Sequence, residues 1–224
     1  MANTKSRTRP RPRIIVGESD IRDGVRALRR KCATMRRVHD MAGDPPLRRR
    51  PTGFEGLARI IVGQQLSVAS ASAIWGRTAE ACCPFEPQVL LALADKRLAA
   101  AGLSRPKIRT LRAIATACAD GLDLARLEQA SDEEIHAALT QVTGIGPWTA
   151  DIFIMFCLGR ADGWAPGDLA LQIAAQQALE LDERPDKQAM LELAERWRPW
   201  RAVAARLLWA YYAAVKRQRT AVPV

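Results

Sequence analysis

Two features of this sequence have residue types and spacing suited to chemistry. The first is Gly144-Ile145-Gly146, which separates an amphipathic stretch ending near Val142 from an almost wholly apolar one beginning at Pro147. Glycines on either side of one aliphatic residue let the backbone turn tightly. They also leave several N–H groups unpaired at the positive end of the next helix dipole, which makes the turn an anion site. In a chain of net charge +10, the anion this suggests is a DNA phosphate. The second feature is Asp168, the last residue of Pro166-Gly167-Asp168. Its plain role is to cap the helix it opens. A carboxylate at a positive helix end is also held in its ionised form, and there it can stabilise a positive charge that develops on a bound molecule. A lone Gly-x-Gly is an ordinary helix–helix turn. Here the turn comes with a helical pattern on both sides and a carboxylate downstream.

The elements that position these residues read as helices. Ala and Leu dominate, β-branched runs are short and strand-like alternation is absent. Apolar spacing predicts a first helix over 18–42, with Ile21, Val25, Leu28, Cys32 and Met35 on one face. The segment 43–53 is a proline-rich loop carrying Arg48-Arg49-Arg50. A helix over 54–81 is broken near Gly63 to Ser67, and helices over 86–101 and 104–120 flank Gly102. Ser131 and Glu134 form a capping box for a helix over 131–142. Further helices cover 147–159, 168–181, 187–197 and 200–217, with Asp186 as a cap for the second-last.

Composition narrows the function classes. Residues 1–13 hold five basic residues and no acid, leaving 29 basic against 24 acidic in the rest. Half of the excess charge is therefore in a tail expected to be disordered, which would add salt-dependent phosphate contacts or simply be solvated. The body is only mildly basic. No apolar run approaches the roughly 20 residues that span a bilayer, and the basic start lacks the apolar stretch of a signal peptide. Five cysteines at irregular spacing imply neither a disulfide framework nor a metal knuckle, which points to a reducing compartment. His39 and His136 read as solvent-facing helix residues without metal partners.

The sequence resembles the helix-hairpin-helix DNA glycosylases. The hairpin pattern is matched by Leu139, Val142, Gly144, Ile145, Gly146 and Ala150, and the family's Gly/Pro stretch ending in aspartate by Pro166, Gly167 and Asp168. IIVGQQLSVASA at 60–71, GIGPWTA at 144–150, GDLAL at 167–171 and AERWRPWR at 194–201 are similar to the 3-methyladenine DNA glycosylase II branch. The likeness covers about 50–217. Thr143 stands where the hairpin usually has proline, Gly167 where this branch often has a second aspartate, and the chain has no room for the N-terminal β-domain of the larger members.

The resemblance implies an all-α fold of two helical domains with an active-site cleft between them. Residues 72–165 would form one domain, with the helix-hairpin-helix at 139–158. Residues 14–71 and 166–224 would form the other. It implies a monomeric, monofunctional DNA-repair enzyme that flips alkylated, cationic purines of the 3-methyladenine kind out of duplex DNA. The enzyme would hydrolyse the N-glycosidic bond and leave an abasic site for base excision repair. Asp168 would be catalytic. Trp148, at the position of the nucleophilic lysine in lyase-type relatives, would join Trp209, Ile152 and Ala170 in the base pocket. Gly144, Ile145 and Gly146 would bind phosphate. Gln65 would be the wedge that fills the vacated stack, with Leu66 the more apolar choice, and Gln64, Lys107 and Arg201 would make further contacts. No cofactor and no iron–sulfur cluster is implied. A monovalent cation, Na+ or K+, could sit on the carbonyls of Thr140, Val142 and Ile145. The compartment would be the bacterial cytoplasm near the nucleoid, or a nucleus. Two other readings are a non-catalytic hairpin protein that binds DNA, and a glycosylase for oxidised or deaminated bases. Asp168 argues against the first and Trp148 against a lyase form of the second.

Overall fold

A computed structural model describes residues 12–221. Among these residues the fold is all-α, and the sole β feature is an isolated bridge between Ile14 and Arg160. Twelve α-helices follow in chain order: α1 Glu18–Lys31, α2 Ala33–Ala42, α3 Gly53–Gly63, α4 Val68–Ala81, α5 Pro87–Ala92, α6 Asp95–Ala100, α7 Arg105–Ala119, α8 Asp132–Thr140, α9 Pro147–Ile152, α10 Leu169–Leu179, α11 Lys187–Glu195 and α12 Arg201–Ala221. A 3-10 turn lies at Arg126–Gln129, and a π-helical turn, Phe153–Cys157, continues α9.

Several predicted helices are divided. The 18–42 helix breaks at Cys32, whose backbone is extended and whose side chain is half-buried, although Ile21, Val25, Leu28 and Met35 are buried as the spacing predicts. The 86–101 helix breaks at Leu93 and Ala94 for the same reason. The break after Gly63 falls where it was expected, with Ser67 capping α4 through the N–H of Ser70. The Ser131–Glu134 capping box and the Asp186 cap are both formed.

α12 packs on α1, α2 and α10, while α5, α6 and α7 group together and α8 packs on α9. α3 touches α4, α7, α9 and the π-helical turn, so it links α4 and α7 to the hairpin. Of the basic tail, residues 1–11 lie outside the described residues. Arg13 is placed, contrary to the expectation that disorder runs to residue 13. Its carbonyl accepts the Ala161 N–H and its guanidinium lies 4.7 Å from the Trp200 ring centroid. No helix of the described residues is long and apolar enough to cross a membrane.

Candidate active site

Three helices converge on Asp168. It caps α10, where Oδ1 accepts the Leu171 N–H at 2.9 Å. α12 brings Trp209, whose Nε1–H donates to the same oxygen at 3.0 Å. α9 brings Trp148, whose Nε1–H donates to Oδ2 at 2.8 Å. A helix cap needs only the first of these bonds. The two indoles come from elsewhere in the chain and fix the plane of the carboxylate. An ionised carboxylate has about four acceptor positions. The one left open, on Oδ2, is available to water or a bound molecule. Asp168, Trp148 and Trp209 are all half-buried, so the group is screened but reachable.

Packing separates the tryptophans that reach Asp168 from those of the core. Trp164, Trp197 and Trp200 are buried in the core. Phe156, from the π-helical turn, stacks on Trp209 with ring centroids 5.6 Å apart. Of the other two residues assigned to the pocket, Ala170 is half-buried beside Asp168, whereas Ile152 is buried in the core at 6% exposure. Leu169, directly after Asp168, is 55% exposed; the sequence carries no signal of this, because an apolar residue in the first turn of a helix reads as core.

The hairpin is α8, the turn 141–146 and α9. Leu139, Val142, Ile145 and Ala150 are buried and hold the two helices together. Gly144 has φ +89, and a Cβ there would stand 2.1 Å from Thr110 Oγ1 on α7, so glycine is required. Gly146 differs from the expectation that both glycines serve the turn. Its φ is −96 and a Cβ would meet nothing within 4 Å. The N–H groups of Gly144 and Gly146 have no acceptor among the described residues, and the space beside Gly146 is open.

The segment 64–67 is tied to this hairpin. Gln64 Nε2 donates to Thr149 Oγ1 on α9 at 2.9 Å. Gln65 has a left-handed backbone, φ +56, and is exposed, as are Leu66 at 38% and Val68 at 80%. The loop therefore presents both candidate wedge residues to solvent on a fixed base. Lys107, expected to make a further DNA contact, has its ammonium turned toward the protein. Its ammonium donates to the carbonyls of Val62 and Gln64 at 2.8 and 2.9 Å, closing the C-terminus of α3 beneath the loop. Burial lowers its pKa.

Two further expectations are corrected. Arg201 reaches neither a free surface nor α10. It is bound by Asp162 at 3.0 Å and Glu195 at 3.5 Å, and is 13% exposed. His136 is not solvent-facing: its Nε2 lies 2.7 Å from Oδ1 of buried Asp151, pinning α8 to α9, and that hydrogen bond raises the imidazole pKa. Gly167 lies under the stem of Lys187, with a virtual Cβ 3.1 Å from Lys187 Cε. Among the described residues no group of three or more His, Cys, Asp or Glu could hold a metal ion.

Residues 58–199 match the family described as HhH-GPD superfamily base excision DNA repair protein. DNA-3-methyladenine glycosylase 1 of Schizosaccharomyces pombe is 32% identical over 161 residues, which are 70% of this chain and 71% of that protein. YfjP of Bacillus subtilis is 30% identical over 166 residues, 70% of this chain and 58% of that one. DNA-3-methyladenine glycosylase 2 of Escherichia coli is 29% identical over 167 residues, 70% and 56%. The chain thus spans little more than half the length of the two bacterial proteins. Among solved structures, the S. pombe 3-methyladenine DNA glycosylase in complex with abasic DNA superposes with TM-score 0.76 at 28% identity, covering 84% of this chain and 95% of that one. A DNA-3-methyladenine glycosidase from Bacillus halodurans gives 0.73 at 31% identity, covering 92% and 95%.

Proposed function

The chain belongs to the HhH-GPD superfamily of base excision DNA repair proteins, and from that premise we propose that it is a monofunctional glycosylase for alkylated purines in duplex DNA. The observation that carries this reading is Asp168, held by two indole N–H groups and one backbone N–H with one acceptor position free. Breaking an N-glycosidic bond places positive charge on the sugar. A fixed carboxylate beside that sugar stabilises the charge without having to reorganise, and its free acceptor position on Oδ2 can orient the attacking water. A purine alkylated on a ring nitrogen is already cationic and leaves readily, so no strong general acid is needed. The electron-rich faces of Trp148 and Trp209 suit a cationic base.

Access to the sugar requires the nucleotide to leave the stack, which costs a few kcal/mol. Gln65 or Leu66 fills the gap from the loop that Gln64 and Lys107 brace. The hairpin N–H groups of Gly144 and Gly146 grip a phosphate, which sets register without reading sequence. A monovalent cation on the hairpin carbonyls is supported by the lone pairs these carbonyls leave open. Among the described residues, those of Thr140 and Ile145 receive no main-chain donor and that of Val142 receives one, from Ile145.

Two results test this reading. Replacing Trp209 or Trp148 with Phe keeps the ring and removes one N–H bond to a charged group, worth about 1.5–3 kcal/mol. Base release should slow roughly tenfold to a hundredfold while duplex binding stays near wild type. Unchanged rates in both variants would mean that the indoles do not hold the catalytic carboxylate. The second result concerns the product. Trp148 cannot form a Schiff base, so borohydride added during turnover should trap no protein–DNA adduct. The abasic strand should stay intact until alkali or a separate lyase is added. A trapped adduct that survives Lys107→Ala and Lys216→Ala would place the protein among the lyases.

A further inference from the structure

The arginine triplet of the proline-rich loop has no part in the site described above, yet it meets that site from behind. A cavity of about 260 Å³ lies between this loop and α12, and Asp44, Arg48, Arg206, Trp209 and Arg217 contribute to its wall. Arg48, Arg206 and Arg217 thus line it beside Asp44, which already accepts from His39 Nε2 at 2.8 Å. Among the described residues Arg48 and Arg206 form no ion pair, and neither do Arg49 and Arg50 beside them. Arg206 is 2% exposed. It satisfies its N–H groups on the carbonyls of Leu47, Ala202 and Met155 and lies 4.5 Å over the Phe156 ring. Burial, then the neighbouring Arg49 and Arg48, push its pKa down to about 9.

Arg48 is the accessible member. It is exposed, donates no hydrogen bond to the described residues, and has a left-handed backbone at φ +48. An arginine there costs energy that side-chain contacts within the protein do not return. Strain at a residue with no internal partner is expected where the partner is a ligand. The wall shared with the active site is Trp209, whose Nε1 donates to Asp168. Whatever enters the cavity is one indole away from the carboxylate. A cationic purine is repelled by this lining, whereas a phosphate is drawn to it.

We infer that this arginine-lined cavity seats the phosphodiester next to the flipped nucleotide, with Arg48 and Arg217 as its exposed contacts and Arg206 as a buried source of positive potential. The inference rests on reading the chain as a glycosylase that flips its target. The hairpin would then hold the strand at one point and the cavity at a second, on the far side of Trp209 from Asp168. Clamping both would keep the target sugar against the carboxylate.

The test is binding to a duplex with one abasic site, which does not depend on turnover. Wild-type protein is compared with Arg48→Gln and Arg217→Gln on duplexes in which the phosphates flanking the site are normal or replaced by uncharged methylphosphonates. Each variant should bind the normal duplex about tenfold more weakly, with a salt slope lower by about one. The methylphosphonate duplex should cost wild type more than either single substitution does, and should cost each variant about tenfold less than it costs wild type. Both side chains are exposed, and a thermal melt at the wild-type temperature verifies folding. A full methylphosphonate penalty that persists in both variants would overturn the inference, as would variants that bind like wild type. Failure of the wild-type protein to release any methylated base would instead count against the glycosylase reading, and the binding comparison would still decide whether the cavity holds phosphate.

Discussion

Asp168→Asn should release alkylated bases at least a hundred to a thousand times more slowly than wild type, a loss of about 3–4 kcal/mol of transition-state stabilisation. The substitution removes the negative charge while leaving a good helix cap, since asparagine also accepts from the N–H of Leu171. It is not innocent toward the rest of the site. The carboxylate takes one indole N–H on each oxygen, and the amide of asparagine turns a donor toward one of them. One indole N–H then loses its acceptor, for a stability cost of about 1–3 kcal/mol. Single-turnover base release should therefore be measured well below the melting temperature of the variant, beside its binding to an undamaged duplex. Binding should persist, because the hairpin and the 64–67 loop are untouched. An Asp168→Asn protein that releases bases at near the wild-type rate would remove Asp168 from the chemistry.

The second large effect separates the two hairpin glycines. Gly144→Ala puts a side chain at φ +89, which costs about 1–2 kcal/mol, and drives its Cβ to 2.1 Å from the Thr110 hydroxyl, an overpacking of about 1–3 kcal/mol. Its melting temperature should fall by several degrees and its DNA affinity should fall with it. Gly146→Ala has an ordinary φ of −96 and open space around the new methyl group, so its stability should match wild type. That methyl group stands where a phosphate would approach the unpaired N–H groups. Binding to damaged and undamaged duplexes should weaken alike, by about tenfold, since phosphate contacts carry no sequence information. A Gly146→Ala protein with unaltered affinity for both duplexes would show that the hairpin does not grip the backbone.

Much of the arrangement was legible in the sequence because it is local. The hairpin lies between two caps, Ser131 and Asp168, and its apolar positions repeat at helical spacing. Asp168 stood out by its place after Pro166 and Gly167. What local pattern cannot carry is which distant side chains meet. Five tryptophans follow residue 140, some in helices and some in the loops between them, and residue type does not tell them apart. Only packing shows that Trp148 and Trp209 turn their N–H groups to Asp168 while Trp164, Trp197 and Trp200 go to the core. Lys107 and Arg201 read as surface charges by type, but each is used inside the fold. Lys107 closes the end of α3 and Arg201 is held by Asp162 and Glu195. His136 was misread because its partner Asp151 lies fifteen residues on, across the turn. The breaks at Cys32 and Leu93 were missed for a different reason: neither carries a glycine or proline, and the apolar spacing runs straight through both.

The central claim is that this protein breaks the bond between an alkylated purine and its sugar, and does not merely hold damaged DNA. The most direct measurement is chromatography of the bases freed from a methylated duplex by an excess of wild-type protein in a single turnover. Free methylated purines should appear together with an intact abasic strand that breaks only after alkali. A protein that binds the same duplex yet frees no base would contradict the claim.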